Sequence, residues 1–181
     1  DAIIMEQLIE IFESANKVFL EEEKGLIISG VSERTLCGSL MQYLKREITK
    51  SIYNRYYVDV EYNRNNGKIK TIINNEMEIV TINCDLIVHS RGEIIEQDNL
   101  IAIEMKKSTA REKEKTKDKN RLIALSKQPH DEVWAADGNS FPEHVCGYKL
   151  GIYYEVNIRK RQIYIQYYTQ GRLFHEETLK H

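Results

Sequence analysis

The chain of 181 residues is 41% hydrophobic and 30% charged, the mix of an ordinary globular protein with length enough for one sizeable core. A formal net charge of −2 excludes any global attraction to nucleic acid, so such binding would need a local basic patch. Its apolar runs fall short of the roughly 20 residues that cross a bilayer, and Cys37, Cys84 and Cys146 lack the CxxC spacing of a structural zinc site or the even count of a disulfide framework. A reducing, cytoplasmic setting with no membrane partner is expected. The sequence opens at Asp1 rather than Met, which leaves room for an upstream segment, and nothing present resembles a targeting signal.

Ala2 to about Lys24 reads as a helix. Ile4, Leu8, Ile11, Ala15 and Val18 recur at three- and four-residue steps, Met5, Phe12 and Phe19 flank them, and Gly25 supplies a stop. A second helix begins at Ser32, a natural N-cap, with Glu33 in the first turn, where the helix dipole favours an acid. Leu36, Leu40, Leu44 and Ile48 form its apolar stripe, and Gly38 offers room for close packing. Glu33 reads equally as a surface acid complementing the dipole or as a member of a site.

Tyr56 to Arg64 alternates Val58, Val60 and Tyr62 against Asp59, Glu61 and Asn63, the pattern of a half-buried strand. Asn65-Asn66-Gly67 then supplies a hairpin turn. Further strands are expected from Lys68, from Glu78 to His89, and from Asn99 to Lys107. Pro129 to Glu143, holding both prolines and Trp134, reads as a long loop. Gly147 to Ile158 is apolar on both faces, as in a central strand, and Gln162 to Thr169 reads as its antiparallel neighbour. His89, His130, His144, His175 and His181 read as surface or loop histidines.

Between Lys106 and Arg121 eight basic residues face three acids. Lys107, Arg111, Lys113, Lys115, Lys117, Lys119 and Arg121 are therefore candidates for gripping a phosphate backbone, on a helix or a loop. The run follows the stretch that holds most of the functional information, Cys84 to Lys106. There Asp85 opens one apolar segment, and Glu104 and Lys106 close the next. Residues two apart on a strand share a face, so Glu104 and Lys106 point the same way. Charges set among Leu86, Ile87, Val88, Ile101, Ala102 and Ile103 are costly unless compensated together. Two carboxylates and an ammonium converging at strand ends suit a divalent metal beside a reacting phosphate.

Asp85, the Glu104-Met105-Lys106 tripeptide and the order of elements around them resemble the PD-(D/E)xK nuclease superfamily. Its restriction endonuclease-like core runs helix, three strands, helix, strand. Cys84 stands where that signature often has Pro. The Val58 to Arg64 strand and the Tyr-rich strand after the charged helix are similar to a branch of the same superfamily. The resemblance covers roughly residues 31–158 of a single 1–181 domain, leaving 1–24 as a helical extension and 159–181 as a C-terminal strand and tail. It implies an α/β (α+β) fold with a mixed central sheet flanked by helices. It further implies a Mg²⁺- or Mn²⁺-dependent nuclease acting on nucleic acid, DNA favoured. Asp85 and Glu104 would ligate the metal with the Met105 backbone carbonyl, Lys106 would orient water or stabilise charge, and Glu33 would hold a second ion or a water. Two alternatives are a nuclease-fold module that binds nucleic acid without turnover and an interaction protein that forms a homodimer or larger oligomer through its first helix.

Overall fold

The computed structural model describes residues 2–62, 64–65, 68–69, 71–73, 79–81, 84–128 and 146–181, with the side chains of 61–83 left aside. Helix α1 (Ala2–Glu22) buries Leu8, Phe12, Ala15 and Phe19, whose four-, three- and four-residue steps make one stripe. The aromatics, expected on its flank, form its centre. Phe12 meets Tyr154 and Tyr167 edge-on, with ring centroids 6.2 and 6.1 Å apart, while Ile11 and Val18 are only half-buried. Gly25 does not stop the chain as expected. A short helix α2 (Lys24–Ile28) runs through it and buries Ile27, and the turn falls at Gly30, with φ +78°. Burying one large aliphatic side chain is worth about 1.5–3 kcal/mol, more than the roughly 1 kcal/mol that a helical glycine costs.

Helix α3 (Glu33–Lys50) starts as the sequence indicates. Ser32 Oγ accepts from Thr35 N–H at 3.2 Å, and Leu36, Leu40, Leu44 and Ile48 are buried. Gly38 permits no special approach, because a Cβ there would meet nothing within 4 Å.

Strand β1 (Tyr57–Tyr62) follows. Two short antiparallel pairs come next, β2 (Arg64–Asn65) with β3 (Lys68–Ile69) and β4 (Thr71–Ile73) with β5 (Ile79–Thr81). Asn65 pairs with Lys68, as the expected hairpin requires; Asn66 and Gly67 lie outside the described residues. The strand expected over 78–89 is divided, since its first part pairs with β4 and only β6 (Cys84–His89) joins the main sheet. Strand β7 (Asn99–Lys107), helix α4 (Glu112–Leu125) and strands β8 (Leu150–Asn157), β9 (Gln162–Thr169) and β10 (Arg172–Lys180) complete the order. The loop expected around Trp134 lies outside the described residues.

The six-stranded sheet runs β1-β6-β7-β8-β9-β10, antiparallel throughout except for the parallel β7–β8 pair, which α4 connects. The fold is α+β with a mixed sheet. Helices α1 and α3 cover one face, packing on Leu86, Ile101, Ile103, Met105, Ile152 and Tyr154. Helix α4 covers the other, where Leu122 and Leu125 meet Ile87, Ala102, Tyr153 and Tyr168. Neighbouring residues of β7 and β8 thus serve opposite layers, which explains why both strands read as unbroken apolar runs.

Two further expectations need correcting. The C-terminal segment is no simple tail: Gln170 and Gly171, both at positive φ (51° and 75°), turn the chain into β10, an edge strand that buries little. Glycine favours such a turn but glutamine does not, so half of the turn signal is missing. His89 is neither exposed nor on a loop. It is 1% exposed, and its Nε2 lies 2.6 Å from Asp59 Oδ2 across β1 and β6. Burial works against the charged Asp59 carboxylate, but the hydrogen bonds from His89 and Arg91 outweigh it and hold its pKa well below the usual range. Among the described residues no helix is long and apolar enough to cross a membrane.

Candidate active site

In the antiparallel register of β6 and β7, Leu86 faces Ile103. One residue outward on each strand brings Asp85 level with Glu104. Alternation then turns Glu104 and Lys106 toward α4, on the layer of Ala102, and sends Met105 into the opposite core. Helix α4 crosses that layer and adds Asp118 and Arg121. One carboxylate oxygen from each of Asp85, Glu104 and Asp118 lies within 4.8 Å of the other two.

Asp85 Oδ2 accepts the Met105 N–H at 2.9 Å, which ties the end of β6 to β7. Arg121 Nη1 donates to Glu104 Oε1 at 3.0 Å and to Asp118 Oδ1 at 3.4 Å. Lys106 Nζ lies 3.2 Å from Asp118 Oδ2. That oxygen is buried and accepts no aligned hydrogen bond among the described residues. Three carboxylates therefore face two cations, an excess of one negative charge in a group where Glu104 is 1% and Asp118 5% exposed. At such separations each like-charge pair costs about 3–4 kcal/mol for an effective dielectric constant of about 20. Either a proton or a cation relieves it. The donors are all oxygen, the set that suits Mg²⁺ or Mn²⁺ rather than softer metals.

Burial raises the pKa of Glu104 well above the usual carboxylate range, and the Asp85 charge adds to this, while Arg121 opposes it. Burial likewise raises Asp118 against the pull of Lys106 and Arg121. For Lys106, burial pulls the pKa down, but Asp118 and Glu33 more than reverse that, and the ammonium is held charged. A pH dependence follows from Glu104. Folded Glu104 keeps its proton to higher pH than unfolded Glu104, so between the two values the folded state binds more protons. The contribution of Glu104 to the stability of the ion-free protein is complete below the ordinary carboxylate range and should be lost as pH rises through the raised value. Urea unfolding across pH should show that decline, flattened in Glu104→Gln.

Glu33 stands beside this group rather than in it. Its Oε2 accepts the Lys107 N–H at 2.7 Å, joining the start of α3 to the end of β7. With Ser32, Arg34, Cys37, Val60 and Asp85 it lines a cleft of about 290 Å³ that reaches Asp85 from solvent. At Met105 the contact made with the acidic group is that of its N–H to Asp85.

The basic run divides. Arg111, Lys113 and Lys117 are exposed. Lys107 Nζ donates to the Gly30 carbonyl at 3.2 Å, and Lys119 sits over the Tyr153 ring, 4.9 Å from its centroid. Lys115 turns inward to Glu155, at 3.5 Å, and Arg121 belongs to the carboxylate group itself. Asp118 escaped the sequence reading because it lies among lysines. A signal was present: Leu125, Leu122, Asp118 and Lys115 continue one helix face at three- and four-residue steps, so the apolar stripe becomes a charged one that still faces the sheet.

No protein-family model, curated protein or solved structure matches the chain.

Proposed function

We propose that this protein is a metal-dependent phosphodiesterase of nucleic acid, DNA favoured, built on a restriction endonuclease-like core. The observation that carries this reading is the convergence of Asp85, Glu104 and Lys106, joined by Asp118, at the ends of two adjacent strands. The order α3, β1, β6, β7, α4, β8 supports it, since it follows the helix, three strands, helix, strand of the superfamily that the sequence resembles. Asp85, Glu104 and Asp118 would hold Mg²⁺ or Mn²⁺, with Glu33 and the Met105 carbonyl as further oxygens. Such an ion, when bound, makes water more acidic and offsets charge on the phosphate. Lys106, fixed by Asp118, presents an ammonium where negative charge grows on the phosphate. Exposed Arg111, Lys113 and Lys117, at the start of and along the helix that carries Asp118, would meet the strand's phosphates, making binding strongly dependent on salt.

A panel of plasmid, linear and single-stranded DNA and RNA, incubated with Mg²⁺ or Mn²⁺, tests the reading. Cleavage by the wild type that EDTA stops and Asp85→Ala lacks is the expected result; equal cleavage by Asp85→Ala removes this site as its source. One observation favours a module that binds nucleic acid without turnover: Lys106 and Arg121 are both already paired with the site's own carboxylates. A gel shift with no cleavage under any metal would select that reading.

A further inference from the structure

We propose that Arg121 is the resident counter-cation of the carboxylate centre, holding Glu104 and Asp118 together in the ion-free protein and competing with a divalent ion for the same oxygens. The inference rests on the metal-centre reading above and adds what sets the centre's affinity.

Its place in the fold distinguishes Arg121 from the other basic residues of α4. Arg111, Lys113 and Lys117 are exposed, whereas Arg121 turns onto the sheet, its side chain 24% exposed against 1% for Glu104 and 7% for Asp118. One nitrogen, Nη1, reaches carboxylates from two elements, Glu104 on β7 and Asp118 on α4. Lys106 is paired with Asp118 through the other oxygen, Oδ2, so the two cations divide that carboxylate between them. A guanidinium does not deprotonate in proteins, so Arg121 cannot relieve crowding by losing charge. With all three carboxylates ionised, the group carries one excess negative charge when Arg121 is present and two when it is not.

A divalent ion drawing on Glu104 Oε1 and Asp118 Oδ1 would meet the guanidinium at the same two atoms. Like charges at that range repel by several kcal/mol at the effective dielectric of a partly buried site. Binding therefore has to displace Arg121, and the work of doing so weakens the affinity. Conversely, removing Arg121 leaves the ion-free centre more repulsive and more receptive to an ion.

The full chain as wild type, Arg121→Gln and Arg121→Lys decides the point. Free Mn²⁺ is read by electron paramagnetic resonance during titration, and thermal unfolding is recorded with and without Mn²⁺. Arg121→Gln should unfold at a lower temperature than wild type without ion, bind Mn²⁺ about tenfold more tightly, and gain more from added Mn²⁺. Arg121→Lys keeps the charge but loses the fork, and its affinity should fall between the two. An Arg121→Gln chain unfolded on its own should fold when Mn²⁺ is added. Folded Arg121→Gln that binds Mn²⁺ no more tightly than wild type, or an unfolded one that Mn²⁺ does not rescue, overturns the role given to Arg121. If neither wild type nor variants bind Mn²⁺, the metal-centre reading itself fails.

Discussion

Lys106→Ala should lower the rate of Mg²⁺-dependent cleavage by about 10²–10³-fold, the usual cost of removing one preorganised group from developing negative charge. The substitution separates two roles that share the site. Lys106 contributes its ammonium through Asp118, at 3.2 Å, and supplies no ligand oxygen. Removing it should leave Mn²⁺ binding intact or tighter, because the carboxylate group loses a competing positive charge. Asp85→Ala should instead lose ion binding and cleavage together. Single-turnover rates beside a Mn²⁺ titration of both variants distinguish these outcomes. Loss of ion binding in Lys106→Ala would mean that the lysine is needed to assemble the centre rather than to act in it.

Phe12→Ala should destabilise the protein by about 3–5 kcal/mol, the range for truncating a buried aromatic side chain. Phe12 is fully buried, and its ring packs edge-on against Tyr154 of β8 and Tyr167 of β9, two of the sheet's inner strands. The Tyr154 hydroxyl donates to Asn16 Oδ1 at 2.5 Å, so α1 is fixed to the sheet by a buried hydrogen bond one turn further on. Ile52→Ala, at a side chain 74% exposed, should change stability by only a few tenths of a kcal/mol. Urea unfolding measures both. Since α1 covers the face opposite Glu104, cleavage per folded molecule should be unchanged in Phe12→Ala. A small loss of stability would contradict a core shared between α1 and the sheet.

Much of this architecture is legible in the sequence because burial has a period. The i+4 stripe of α3 and the unbroken apolar runs of β7 and β8 each correspond to the number of faces that the element buries, whereas the alternation expected of β1 holds at buried Val58 and fails at Val60, which is 37% exposed. Glu104 and Lys106 announce themselves as charges closing an apolar strand. What the sequence conceals is the partner across the helix layer. Asp118 and Arg121 sit in a run whose composition signals solvent, and only continuation of the Leu122–Leu125 face turns them inward. The edge strand β10 is hidden for a different reason. It is held by main-chain pairing to β9, which leaves little trace in side-chain pattern. His89 is masked by sequence distance, since its ionic partner Asp59, 30 residues earlier on the neighbouring strand β1, is what makes its burial tolerable.

Cleavage of a uniformly labelled DNA duplex and its separated strands by the purified full chain tests the central claim most directly. Wild-type protein should cut at least one of them with Mg²⁺ or Mn²⁺ and none with EDTA, and Asp85→Ala and Lys106→Ala should both be deficient. Intact DNA and an intact RNA control under every metal, or cleavage that survives both substitutions equally, would contradict it.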